Sequence, residues 1–256
     1  MTSSSIFPLE IEEIILDLLA EDEDEDEGHS ALKTCSLVCQ AFLPICRKHI
    51  FGSIFLSSST THAFERLLCE TPEIADYIRK LHYYYTNFVP NPSIQESFKR
   101  ITRLEFLTVR RHFPSRLDGQ WSNYPIRPAL LQLLHLPTLT HFRTVGINKF
   151  VVSDLIPCVN LKYLEIGHYT TVADEYTFPA TLPKHSIQLN EFSAWARSHT
   201  SIMKLCTAQR PDGQPIIDFR SLSKITVKFQ THDEGEASQL LFKRCHSLTN
   251  VNVTCK

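Results

Sequence analysis

The chain has 256 residues, 43% of them apolar and 21% charged, with a formal net charge of −2, as in an ordinary globular protein. No cluster of Lys and Arg marks a nucleic-acid surface and no apolar run approaches a membrane span, so neither partner is expected. The opening MTSSSIFPLEIEE has no basic n-region, so the eight cysteines read as reduced thiols of the cytoplasm or nucleus.

Residues 1–5 are expected to be disordered, and residues 6–52 to form a small helical unit. Pro8 suits the first position of a helix, and Glu10, Glu12 and Glu13 complement its dipole. Ile11, Ile14, Ile15, Leu18 and Leu19 follow at helical spacing. The helix is expected to end in the acidic run Glu21–Glu27 and Gly28, with the run itself a solvated loop. A second helix is expected after Ser30 as N-cap, with Leu32, Cys35, Leu37, Val38, Cys39 and Phe42 covering most of its circumference. Pro44 opens a third turn or helix carrying Ile45, Cys46, Ile50 and Phe51. About 45 residues cannot bury that much apolar surface securely. Either the unit caps the rest of the chain or it offers a surface to another protein. Cys35, Cys39, Cys46 and His49, spaced C-x3-C-x6-C-x2-H, fit no compact zinc finger, and no metal site is expected.

Ser53–Ser57 reads as a short strand, Thr61–Leu68 as a helix and Thr71–Tyr77 as a turn. A spacing of apolar-x-x-apolar-x-apolar then recurs. It runs Ile78-x-x-Leu81-x-Tyr83, Ile101-x-x-Leu104-x-Phe106, Leu139-x-x-Phe142-x-Thr144, Leu161-x-x-Leu164-x-Ile166, Leu189-x-x-Phe192-x-Ala194, Leu222-x-x-Ile225-x-Val227 and Leu248-x-x-Val251-x-Val253. The steps between copies are 22 to 38 residues. Ser93–Arg100, Arg127–His135, Val151–Ile156 and Glu236–Cys245 read as helices between copies, with Pro137 and Pro157 as stops. Strand and helix alternating at such steps is the signature of a solenoid, though strands of an ordinary α/β domain share the same buried pattern. Period two sends the intervening residues outward: Lys80 and His82, Arg103 and Glu105, His141 and Arg143, Tyr163 and Glu165. These form a candidate target-binding row, polar and of mixed sign. Trp121 and Tyr124, in the long segment Phe113–Pro128, could anchor a partner or close a hydrophobic seam.

Chemistry is sparse. No two of the seven glycines lie closer than 21 residues, which excludes loops that cradle phosphate. Neither Gly-x-Ser-x-Gly nor His-Glu-x-x-His occurs, and the twelve histidines are scattered. No cofactor and no catalytic residue is expected; an enzyme with an unrecognised site is the rival reading.

Two family resemblances gather these readings. Phe7-Pro8-Leu9-Glu10, Ile14-Ile15-Leu16, Leu18-Leu19, Leu32, Leu37-Val38-Cys39 and Phe42 resemble an F-box in order and spacing. Phe7 stands where Leu is usual, Phe42 where Trp is common, and the acidic run lengthens the loop between helices. The resemblance implies docking on the Skp-type adaptor of a cullin-RING (SCF-type) ubiquitin ligase, through Pro8, Leu9, Ile14, Ile15, Leu18, Leu37, Val38 and Phe42. Most of residues 78–256, within a second domain expected over 53–256, resembles degenerate leucine-rich repeats, which implies recruitment of a protein target. The expected fold class is α/β: a small all-helical unit, then an irregular solenoid with a parallel sheet on one face and short helices on the other. A ligase-independent interaction scaffold is the alternative.

Overall fold

The computed structural model describes residues 8–20, 25–85, 92–111, 120–174, 178–195, 197–229 and 232–255. Three helices come first: α1 (Leu9–Ala20), α2 (Glu25–Val38) and α3 (Phe42–Ile50). The expected disordered stretch 1–5 lies outside the described residues, as do residues 21–24 of the acidic run. The rest of that run is not a loop. α2 begins at Glu25, so Gly28 is a buried helical residue and not a stop. Carboxylates at a helix start meet unpaired N–H groups and the positive end of the dipole, which offsets their mutual repulsion.

From Ser53 onward strands and helices alternate. The elements are β1 (Ser53–Leu56), α4 (Thr61–Glu70), β2 (Lys80–Tyr85), α5 (Pro92–Lys99), β3 (Phe106–Arg111), α6 (Arg127–Leu134), β4 (His141–Val145) and β5 (Tyr163–Ile166). Then follow β6 (Ile187–Gln188), β7 (Glu191–Ala194), α7 (His199–Thr207), β8 (Ile217–Asp218), β9 (Lys224–Phe229), α8 (His232–Arg244) and β10 (Asn250–Cys255). Eight strands form one parallel sheet in the order β1-β2-β3-β4-β5-β7-β9-β10, and β6 pairs with β8 apart from it. The protein is therefore a mixed α/β structure. The expected helix at Val151–Ile156 is a 3-10 turn over Val152–Leu155, and α7 was not anticipated.

The register places Leu81, Leu107, Phe142, Leu164, Phe192, Ile225 and Val251 side by side on the inner face. This corrects one copy of the sequence pattern. On β3 the frame is Leu104-x-x-Leu107-x-Val109, three residues later than Ile101-x-x-Leu104-x-Phe106. It also adds a copy, because Ile54 pairs with Leu81 and extends the column to Phe51-x-x-Ile54-x-Leu56.

The backbone marks the same frame. The carbonyl after the first apolar position of each copy accepts two N–H groups from the next copy. Gly52 accepts from Arg79 and Lys80, Arg79 from Glu105 and Phe106, and Glu105 from Thr140 and His141. Thr140, Lys162, Asn190 and Ser223 continue the series, with all distances between 2.8 and 3.1 Å. Each junction thus uses both lone pairs of one carbonyl, which fixes the strand start through the backbone.

One large core lies between the inner sheet face and the helices. Phe64 and Leu68 of α4, Ile94 and Phe98 of α5, Leu130 and Leu133 of α6, Ile202 and Leu205 of α7, and Leu241 of α8 share it with the strands. Trp121 and Tyr124 are buried there, closing a seam instead of anchoring a partner. Trp121 packs on Phe150 at 5.4 Å, and its indole N–H donates to Asp154 Oδ2 at 2.6 Å. Arg127 donates to both oxygens of the same buried carboxylate, at 2.7 Å to Oδ1 and 2.9 Å to Oδ2 through Nη2. A second, separate core of Leu16, Leu32 and Cys46 holds the three N-terminal helices, with Leu19, Cys35, Phe42, Ile45 and Ile50 packed on it.

Candidate interaction surfaces

The helical unit divides its apolar residues between that small core and solvent. Leu16 and Leu19 turn inward from α1, whereas Ile11, Ile14, Ile15 and Leu18 stay exposed along its other side, Leu18 by 63%. At the end of α2, Leu37 is 87% exposed and Val38 73%. Pro8 is exposed too. Leu9 opens α1, but its side chain lies outside the described residues. Phe42 departs from its expected role: it is half-buried and packs on the small core. Elsewhere the unit is tied down by polar contacts, with Arg47 Nη1 3.4 Å from Glu73 and His49 Nε2 2.6 Å from Asp17. The described residues of the sheet unit leave these apolar side chains exposed.

The outer sheet face presents a second surface. Consecutive strands bring Lys80, Phe106, His141, Tyr163, Glu191, Lys224 and Asn250 into one row. Phe55, His82, Thr108, Arg143, Glu165, Ser193, Thr226 and Asn252 form the next. Six of the eight expected residues fall in these rows. Arg103 and Glu105 do not, because the β3 frame is shifted: both precede the strand, and Glu105 lies 3.6 Å from Arg79 at its margin. Phe106 and Thr108 take their places. The surface is therefore less polar than expected.

Five rings run across it. Phe55 stacks on His82 at 4.3 Å, His82 meets Phe106 at 5.3 Å, Phe106 meets His141 at 5.7 Å, and His141 meets Tyr163 at 5.5 Å. Next to them the Tyr163 hydroxyl donates to Glu165 Oε2 at 2.7 Å, and Arg143 Nε lies 2.9 Å from Glu165 Oε1. Burial, with Glu165 adding to it, pushes the Tyr163 phenol up. Glu165 is buried, so charge reversal at Arg143, harmless if the side chain were free, would set two carboxylates against each other here. Further along, Lys224 pairs with Glu191 at 2.9 Å, and Lys228 sits over the Trp195 ring at 3.6 Å.

Both histidines of the ladder titrate low. Burial lowers His82 first, followed by Arg143 and then Lys80. Burial also lowers His141, Glu191 and Glu105 pull it back, and Lys80 lowers it further. A folded pKa below the unfolded one means that the unfolded chain binds more protons in between. The stability owed to these neutral rings is complete above the ordinary imidazole range and is lost as pH falls through the folded values. The melting temperature of His82→Gln should therefore fall less than that of the parent from pH 7 to pH 5. Equal falls in a pH series of thermal melts would refute this.

Among the described residues no three His, Cys, Asp or Glu side chains group so as to hold a metal ion, and no helix is long and apolar enough to cross a membrane. Comparison with protein-family models, curated proteins and solved structures finds no match to the chain.

Proposed function

We propose that the chain is the target-recognition subunit of a cullin-RING (SCF-type) ubiquitin ligase. In this reading the three N-terminal helices are an F-box-like unit that docks on a Skp-type adaptor. The sheet unit is an irregular leucine-rich-repeat-like solenoid that holds the target, and the chain itself carries no catalysis. Its place of work is the cytoplasm or nucleus, in keeping with free thiols at Cys35, Cys39, Cys46, Cys69, Cys158, Cys206 and Cys245.

The observation that carries this reading is the division of α1 and α2. Leu16, Leu32 and Cys46 fill a core, while Ile11, Ile14, Ile15, Leu18, Leu37 and Val38 are left in water. A helix apolar on two sides needs two partners, and the described residues supply one. Burying a Leu or Ile side chain contributes about 1.5–3 kcal/mol, so a groove accepting several gives a firm complex. The solenoid reading is supported by strand neighbours that follow chain order and by the repeated double-acceptor carbonyl.

Calorimetry with purified adaptor tests the docking. Micromolar or tighter binding by the full chain, lost in residues 53–256, is the expected result. No heat of binding at those concentrations would end the claim. The alternative is a ligase-independent scaffold with the helices as a cap; covered side chains would favour it, and the exposure of Ile15 and Leu37 favours adaptor docking.

A further inference from the structure

The outer face of β1–β4 is one-sided in charge. Its outward positions hold Lys80, Arg110 and Arg143, together with His82 and His141, and no carboxylate. Lys80 is exposed and has no acidic partner among the described residues. Thr108 lies between His82 and Arg143 in register. It is only 3% exposed, yet its hydroxyl has no hydrogen-bond partner. A buried donor left unmade is unfavourable, and an arriving acceptor would satisfy it. Three adjacent strands thus offer an imidazole, a hydroxyl and a guanidinium side by side.

The rings fix the shape of the occupant. From β1 to β5 the ladder crosses four strand spacings, about 19 Å, the length of about six extended residues. Faces of Phe55 and Phe106 take planar side chains, while the cations beside them take negative ones. We infer that the row His82–Thr108–Arg143, with Lys80 beside it, seats a Glu or Asp side chain of an extended acidic peptide whose aromatic side chains two positions away, on the same side of the peptide, lie on Phe55 and Phe106. Arg143 keeps its pair with Glu165 and turns its remaining N–H groups to the ligand. His82, whose charged form is disfavoured by burial and by Arg143 and Lys80, gains a counter-charge from the peptide. Binding therefore strengthens as pH falls, opposite in sign to the stability of the free protein.

This inference rests on the sheet face being the target surface, and its test separates the two. A fluorescent hexapeptide Tyr-Ser-Glu-Ser-Tyr-Ser, which places Glu and both Tyr on one face when extended, is titrated with the full chain by anisotropy at pH 6 and pH 8, beside counterparts with Gln or Lys in place of Glu. The Glu peptide should bind about tenfold tighter than the Gln peptide, as expected for charge-assisted hydrogen bonds. It should also bind tighter at pH 6 than at pH 8. Thr108→Val, which keeps the shape and removes the donor, should weaken it by about threefold to tenfold with no loss of melting temperature. Lys80→Gln should weaken it similarly. If the Gln or Lys peptide binds as well, the face is a target surface of another chemistry and the acidic assignment falls. If none binds, both the assignment and the use of this face fall, while adaptor docking is decided by its own calorimetry. Unchanged affinity in Thr108→Val would also overturn the assignment.

Discussion

Asp154→Ala should destabilise the sheet unit by about 3–5 kcal/mol, the range for removing one partner of a buried ion pair. The carboxylate accepts from the Trp121 indole and from Arg127, and it is itself buried. Its removal leaves a mostly buried guanidinium without a counter-charge and a fully buried N–H without an acceptor. Each unmet group is unfavourable by more than the hydrogen bond was favourable. For a unit of this size about 1 kcal/mol corresponds to about 2–4 °C, so a melting temperature about 10 °C lower is expected. Asp154→Asn keeps an oxygen for Trp121 and should lose less. A differential scanning trace unchanged in Asp154→Ala would mean that this hub does not hold α6 to the segment after β4.

Leu18→Asp combined with Leu37→Asp should abolish adaptor binding and leave the fold intact. Both residues are mostly exposed, and surface substitutions away from packed features change stability by about 0.5 kcal/mol or less. In a complex the same positions would bury carboxylates against an apolar groove. The milder Leu37→Ala should cost about 2 kcal/mol of binding, near thirtyfold in affinity. Leu16→Ala is the opposite control: Leu16 is 2% exposed in the small core, so its truncation should melt the helical unit. Circular dichroism separates the two outcomes. A double variant that unfolds would show that Leu18 and Leu37 already have a partner within the chain.

The alternation of strand and helix was readable because apolar positions recur at a spacing that only a buried strand satisfies. Frame was harder to read. Ile101, Leu104 and Leu107 are each three residues apart, so the pattern fits the segment twice, and only pairing with Leu81 and Phe142 selects the later frame. That slip hid Phe106 and Thr108 from the outer face. Phe55 escaped the outer row for a related reason: Ser53–Ser57 reads as a strand, but Phe51 closes the helical unit, so the copy Phe51-x-x-Ile54-x-Leu56 is divided between two units and does not register as a repeat. The exposed stripe on α1 was legible in kind, since its apolar residues outnumber what one face can bury. Which of them turn inward was not, because that depends on where α2 and α3 lie. α2 starts early because carboxylates suit a helix start, a local preference that charge repulsion masked.

The two cores share no residue, and the chain passes between them at Gly52, where a Cβ would stand 2.6 Å from the Lys48 carbonyl oxygen. Such a joint transmits little cooperativity. The three helices should open on their own, long before the sheet, and hydrogen exchange should find their amides unprotected first. An adaptor would then grip the most pliant part of the molecule and stiffen it, so occupancy of the ligase, more than the protein's own folding, would set how long that end survives proteolysis.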